Sequence, residues 1–216
     1  KTEALELQNR MERSQIDPHF LFNTLNVIQQ TAGTETAYRT QALIMALSHL
    51  LRYSLMSNDE QVPLSREVRI VDEYYSIYHV RFGERVRMEW RISDSLDLTE
   101  TMVPSFILQP IVENAVKHGL EYEEEDGKGH IRIECRGEDE FIVFRVINNG
   151  GAIDLQKVAG VMRTPGTGYG IYNICERIEL YYGSGSGLFP SITEDGETCF
   201  TLKLNRTLEK ETPTEA

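Results

Sequence analysis

The chain is poor in the residues that build metal or disulfide scaffolds. Its 216 residues include three cysteines, Cys135, Cys175 and Cys199, far apart and odd in number. That spacing suggests neither a zinc cluster nor a disulfide framework. Each thiol lies in an apolar stretch, where a buried structural role is the default, and a reducing, cytoplasmic setting fits best. Basic charge is also short: 22 Lys and Arg stand against 34 Asp and Glu, a net charge of −12. Nucleic-acid backbones need a clustered basic excess, so no direct nucleic-acid partner is expected. No apolar run reaches the roughly 20 residues that span a bilayer, and no signal peptide is visible. Internal repeats and low-complexity tracts are missing as well. What remains, 40% hydrophobic and 26% charged residues, is ordinary globular composition with room for one large domain or one domain plus a smaller element.

Residues 3–32 read as a first helix. Leu7, Met11, Ser14, Pro18, Leu21, Leu25, Ile28 and Ala32 recur at spacings of three and four, the seam of a helical bundle. Ile16, Phe20 and Val27, with Asn23, form a second stripe on nearly the opposite side. A helix apolar on two faces must bury both, so one face is expected in a bundle and the other against a mobile partner or domain. His19 lies at the edge of the second face. Pro18 either kinks the helix at the turn carrying His19 or opens a helix capped by Asp17. The chain begins in helical sequence without a cap, which suggests a piece of a longer helix.

Gly33 and Thr34 break the pattern, and residues 35–57 read as a second helix with Leu43, Leu47, Leu50, Leu51 and Leu55 on one stripe. Two long helices with a short connection form an antiparallel hairpin, and two helices cannot enclose a core. The hairpin should therefore pair with a second copy into a four-helix bundle. His49 is the rival chemical histidine, in surroundings that look like an ordinary bundle flank. A linker follows at 58–63, then a helix to about Phe82, a strand at 86–92, a helix at 104–118 and strands at 131–135 and 141–147. A helix at 171–181 and strands at 188–193 and 198–204 close the pattern. Helices on one face of a mostly antiparallel sheet, an α/β sandwich, fit this order. The acidic run at 121–126 reads as a solvated loop.

Three segments of the sandwich carry suggestive chemistry. In Gln109-Pro110-Ile111-Val112-Glu113-Asn114-Ala115-Val116-Lys117-His118-Gly119, helical spacing puts Glu113, Asn114 and Lys117 on one side. An amide carbonyl such as that of Asn114 suits magnesium, which takes few protein ligands when phosphates already hold it. Lys117 and His118 could meet phosphate oxygens. The second segment, Asn148-Asn149-Gly150-Gly151-Ala152, leaves a strand into a glycine turn. The third, Gly166-Thr167-Gly168-Tyr169-Gly170, opens a helix, where free N–H groups bind phosphate. It lacks the Lys-Ser/Thr ending of a Walker A loop.

With Asp17-Pro18-His19-Phe20-Leu21-Phe22-Asn23 ahead of them, and Gly170-Ile171-Tyr172-Asn173 with Glu176-Arg177 behind, these segments resemble the cytoplasmic part of LytS/YesM-type sensor histidine kinases over about residues 10–206. The resemblance implies an α+β chain: a dimerising, phosphoacceptor helical hairpin at 1–58, a GHKL (Bergerat) ATP-binding sandwich at 59–206 and a polar tail at 207–216. It implies a homodimer, a membrane sensor upstream and a response regulator downstream, hence the cytoplasmic portion of a bacterial membrane protein. By the same resemblance His19 takes the γ-phosphoryl group of Mg²⁺·ATP and passes it to a regulator aspartate. Glu113 or Asp17 receives the imidazole proton, and Asn114 holds Mg²⁺. Lys117, His118, Gly166, Gly168 and Gly170 surround the phosphates, and residues 154–165, with Arg163, form a lid.

One departure stands out. The family pattern Asp-x-Gly-x-Gly is here Asn148-Asn149-Gly150-Gly151-Ala152, so the carboxylate expected to receive the adenine amino group is an amide. Losing charge assistance should cost on the order of 1 kcal/mol, roughly tenfold in affinity. This keeps open a degenerate kinase acting as a dimeric scaffold with weak or no ATP binding. A hydrolysing ATPase, with Glu113 activating water, is a third reading.

Overall fold

The structure, a computed structural model, describes residues 23–24, 27–28, 31, 37–56, 61–120, 129–150, 153–164 and 169–206. Contacts divide the chain into two compact units, residues 1–83 with 102–105 and residues 84–101 with 106–216. The expected bundle histidine His19, with Asp17, lies outside the described residues, as do Gly166, Gly168 and the acidic run at 121–126.

In the first unit, helix α1 (Ala37–Met56) packs against helix α2 (Leu64–Phe82). Leu43, Ala46, Leu47 and Leu50 form the buried stripe of α1, matched by Ile70, Val71, Tyr74 and Ile77 on α2. Helical spacing of apolar residues thus does here what the sequence says it should. Pro63, which cannot donate to a preceding carbonyl, stands at the entry of α2 with φ −57°. At the exit Gly83 adopts φ 61°, and its N–H returns to the His79 carbonyl. Strand β1 (Gln61–Pro63) pairs antiparallel with β3 (Met102–Pro104).

The second unit is a five-stranded sheet in the order β2-β4-β5-β7-β6. Its strands are β2 (Val86–Ile92), β4 (Gly129–Glu138), β5 (Phe141–Asn148), β6 (Gly187–Ile192) and β7 (Thr198–Asn205). β2 runs parallel to β4 and the remaining pairs are antiparallel. Helix α3 (Gln109–Leu120) packs over β4 and β5, and α5 (Tyr169–Tyr182) over β6 and β7. The short α4 (Leu155–Val161) lies against β6. Alternation assigns the faces. Cys135, Phe144 and Leu202 form one cross-strand row, Ile133, Val146 and Phe200 the next, all buried. Burial of each such large side chain contributes roughly 1.5–3 kcal/mol.

Two sequence expectations shift. The helix expected from Pro104 begins at Gln109, and Pro104 ends strand β3 instead. A proline pushes its predecessor toward extended backbone, which suits Val103 to a strand. The intervening turn includes Phe106 at φ 55°. Pro110, in the first helical turn where its missing N–H costs nothing, is the proline that opens the helix. The stretch expected as a lid contains α4, whose first turn is capped by Asp154 accepting from the backbone N–H of Gln156 and Lys157 at 3.0 and 3.1 Å.

Candidate functional site

Helix α3 sinks one side into the core and leaves the other accessible. Ile111, Val112, Ala115 and Val116 are buried, while Glu113 and Asn114 are half-buried and Lys117 is exposed. The Lys117 ammonium lies 2.8 Å from the Glu113 carboxylate, an i,i+4 pair along the helix. The spacing argument therefore holds for these residues: one helix brings a carboxylate, an amide and an ammonium to a common side. His118 is the next residue of α3, with a side chain outside the described set.

The start of α3 is tied to the start of α5. A Cβ on Gly170 would sit 2.9 Å from Cβ of Pro110, closer than side chains tolerate. Gly170 thus has a packing reason in addition to any contact with phosphate: without a side chain it lets the two helix N-termini approach. Arg163 follows α4 and is exposed.

At the end of β5 the core face changes character. Ile142, Phe144 and Val146 are succeeded on the same face by Asn148, and on β7 Leu204, Leu202 and Phe200 by Thr198. Asn148 and Thr198 are register partners, each 2% exposed. Opposite residues on antiparallel strands face the same way, so two polar groups lie side by side where the apolar rows stop. The Asn148 side-chain Nδ2 is buried with no hydrogen-bond partner. A buried unpaired donor costs about 1–3 kcal/mol and calls for an explanation. Asn149, the next residue, is committed to architecture: its Oδ1 accepts from the His130 N–H at 2.7 Å and closes the strand end. Gly150 then carries the chain out of the sheet, half-buried.

Thr198 is a candidate site residue that motif reading missed. Its signal was a threonine at the mouth of a strand otherwise apolar on that face, legible only once the register with Asn148 is known. Gln109 is a second: it is buried at the first position of α3, with its Oε1 unpartnered.

His49 has an identifiable local role. Its Nδ1 lies 2.7 Å from Glu73 Oε1, which also accepts from Arg69 Nε at 3.0 Å. The carboxylate thus bridges α1 and the first half of α2, consistent with the bundle-flank reading. Burial pushes the Cys135 thiol up to about 12 and that of Cys175 to about 11, so neither is a nucleophile at neutral pH.

Comparison with known proteins adds to this geometry. Residues 7–86 match the histidine kinase family model, and residues 104–208 match that of the histidine kinase-, DNA gyrase B- and HSP90-like ATPases. The catalytic domain of histidine kinase ThkA superposes with a TM-score of 0.52 at 16% identity, covering 68% of this chain and 95% of that one. Acinetobacter baumannii histidine kinase AdeS gives 0.51 at 14% identity over 94% of this chain and 95% of that one. The fold is therefore that of the GHKL ATPases preceded by a helical part.

Sequence relatives narrow it further. Sensor histidine kinase YpdA of Escherichia coli is 32% identical over 83% of this chain and 32% of its own length. Sensor protein LytS of Streptococcus mutans is 33% identical over 86% of this chain and 32% of its own, and YesM of Bacillus subtilis 32% over 85% and 30%. The chain matches the histidine kinase and GHKL-type ATPase models in succession, is similar to LytS/YesM-type sensor histidine kinases over most of its own length, and spans about a third of the length of these curated relatives. Among the described residues no helix is long and apolar enough to cross a membrane.

Proposed function

We propose that the chain is the kinase portion of a two-component sensor, which binds Mg²⁺·ATP in its second unit and phosphorylates His19. The observation that carries the reading is the Asn148–Thr198 pair: two buried polar side chains, one with an unsatisfied donor, terminating an otherwise apolar face. A site for a planar, mostly apolar base with polar edges requires such a junction, and the residues present fit a nucleotide. The polar side of α3 supplies what triphosphate binding needs. Asn114 would hold Mg²⁺ through its carbonyl, and Lys117, His118, Arg163, Gly166, Gly168 and Gly170 would serve the phosphates. Bound Mg²⁺ supplies charge neutralisation of the phosphate oxygens.

In the proposed reaction a neutral imidazole nitrogen of His19 forms a bond to the γ-phosphorus as the bond to the bridging oxygen breaks, and ADP departs with that electron pair. The imidazole proton passes to Glu113 or Asp17. Since Glu113 is paired with Lys117 at 2.8 Å, its availability as a base depends on Lys117 turning to the phosphates. Transfer to an aspartate of a response-regulator receiver domain follows. Positioning and charge neutralisation do most of the work in such transfers.

Pairing of the hairpin (1–58) with a second copy is part of the proposal, as is the ATP-binding assignment of 59–206 with a polar tail at 207–216. The exposed Ile44 and Met45 on α1, outside its buried stripe, support the pairing. A membrane sensor upstream, with this portion on the cytoplasmic side, completes it.

Incubation with γ-labelled ATP and Mg²⁺ tests the reading. The expected result is acid-labile, base-stable label on the chain, lost in His19→Gln. Label that persists in His19→Gln refutes the phosphoacceptor assignment. Absence of ATP binding by calorimetry would turn the reading toward a signalling scaffold, and steady phosphate release by His19→Gln toward an ATPase.

A further inference from the structure

A second property of the base subsite follows from the chemistry of Asn148, and it rests on the reading of Asn148 as the base contact. A carboxylate at this position offers acceptors only. It matches the C6 amino group of adenine and repels the C6 carbonyl of guanine or hypoxanthine. Asparagine presents both signs, an acceptor at Oδ1 and two donors at Nδ2. Against adenine, Oδ1 can accept from the C6 amino group while Nδ2 donates to N1. Against a 6-oxopurine the amide turns over: Nδ2 donates to O6 and Oδ1 accepts from N1–H.

Two observations favour this ambivalence. Asn148 is 2% exposed and its Nδ2 has no hydrogen-bond partner, so no protein acceptor holds the amino end in one orientation. The terminal torsion of asparagine is broad and roughly two-fold, so both orientations are open to it.

We infer that Asn148 makes the base subsite tolerant of a 6-oxopurine, so that inosine triphosphate is bound alongside ATP. ITP is the apt probe because it carries the oxo edge without the additional 2-amino group of guanine.

The experiment is an equilibrium titration of the chain with ATP and with ITP, each with Mg²⁺, by calorimetry, for the parent and for Asn148→Asp. The parent is expected to bind the two nucleotides within about tenfold of each other. In Asn148→Asp the preference for ATP should widen by roughly tenfold to a hundredfold, the usual weight of an amide–base pair. A parent preference for ATP of more than about tenfold overturns the inference, and so does a ratio that Asn148→Asp leaves unchanged. Should Asn148→Asp fail to fold, as read by circular dichroism, the parent ratio alone decides. Binding of neither nucleotide by the parent defeats the nucleotide-site reading itself, an outcome distinct from binding of ATP alone.

Discussion

The two faces of the same sheet treat polar groups in opposite ways. On the face away from the core rows, Arg145 Nη1 donates to Glu134 Oε2 at 2.9 Å, and Arg132 Nε to Glu134 Oε1 at 3.1 Å. Glu197 receives Arg132 Nη2 at 3.4 Å and pairs with His130 Nε2 at 2.6 Å. This chain of charges is partly exposed and satisfies itself. Three residues beyond Arg145, on the other face of β5, Asn148 is deeply buried with a donor unpaired. The lesson is that richness in polar groups does not mark a binding site. A polar cluster that completes its own hydrogen bonds is architecture, whereas a buried polar group left incomplete asks for a ligand.

Substitutions can break this contrast, beginning with the largest effect. Ile133→Ala removes a fully buried side chain from the core face and should cost about 2–5 kcal/mol in denaturant unfolding, through lost transfer energy and a residual cavity. Gly170→Ala forces a Cβ against Pro110 and should cost about 1–3 kcal/mol. Pro110→Gly removes the opposing Cβ, so a double-mutant cycle should reveal coupling between the two positions. Such coupling would separate packing from phosphate contact in the glycine's role.

Asn148→Leu sharpens the contrast most directly. Replacing a buried, unpaired donor with an apolar group of similar size should leave unfolding stability unchanged or raise it by up to about 1 kcal/mol, while nucleotide binding is lost. A loss of stability without a change in binding would mean that Asn148 is architectural. Glu134→Gln, on the other face, should weaken two partly exposed ion pairs at a cost of about 1 kcal/mol or less. ATP affinity measured in parallel should not change.

Much of the second unit was legible in the sequence because its elements are long enough to display a period. Strand β2 occupies the residues expected of it, and β5 and α5 differ from expectation by one or two positions at their ends. What escaped was short or decided by a distant partner. β1 and β3 have three residues each, too few for alternation to register, and β3 took Pro104, the first residue assigned to the next helix. The seven residues of α4 hid in a stretch read as a lid, although Asp154 is an ordinary N-cap signal.

The site divides along the same line. Glu113, Asn114 and Lys117 were placed together correctly from the spacing of one helix, since local geometry fixes which residues share its side. The same spacing could not foresee that Lys117 turns to Glu113. Sequence by itself determined the helix and strand periods, the motif order and the exchange of a carboxylate for an amide at position 148. Tertiary structure alone decided that Thr198 stands beside Asn148, that Gly170 must be small to clear Pro110, and that the amides of Asn148 and Gln109 are each buried with a polar atom unpartnered. These depend on strand register and helix approach, which are set by packing between residues 50 or more positions apart, beyond the reach of any local pattern.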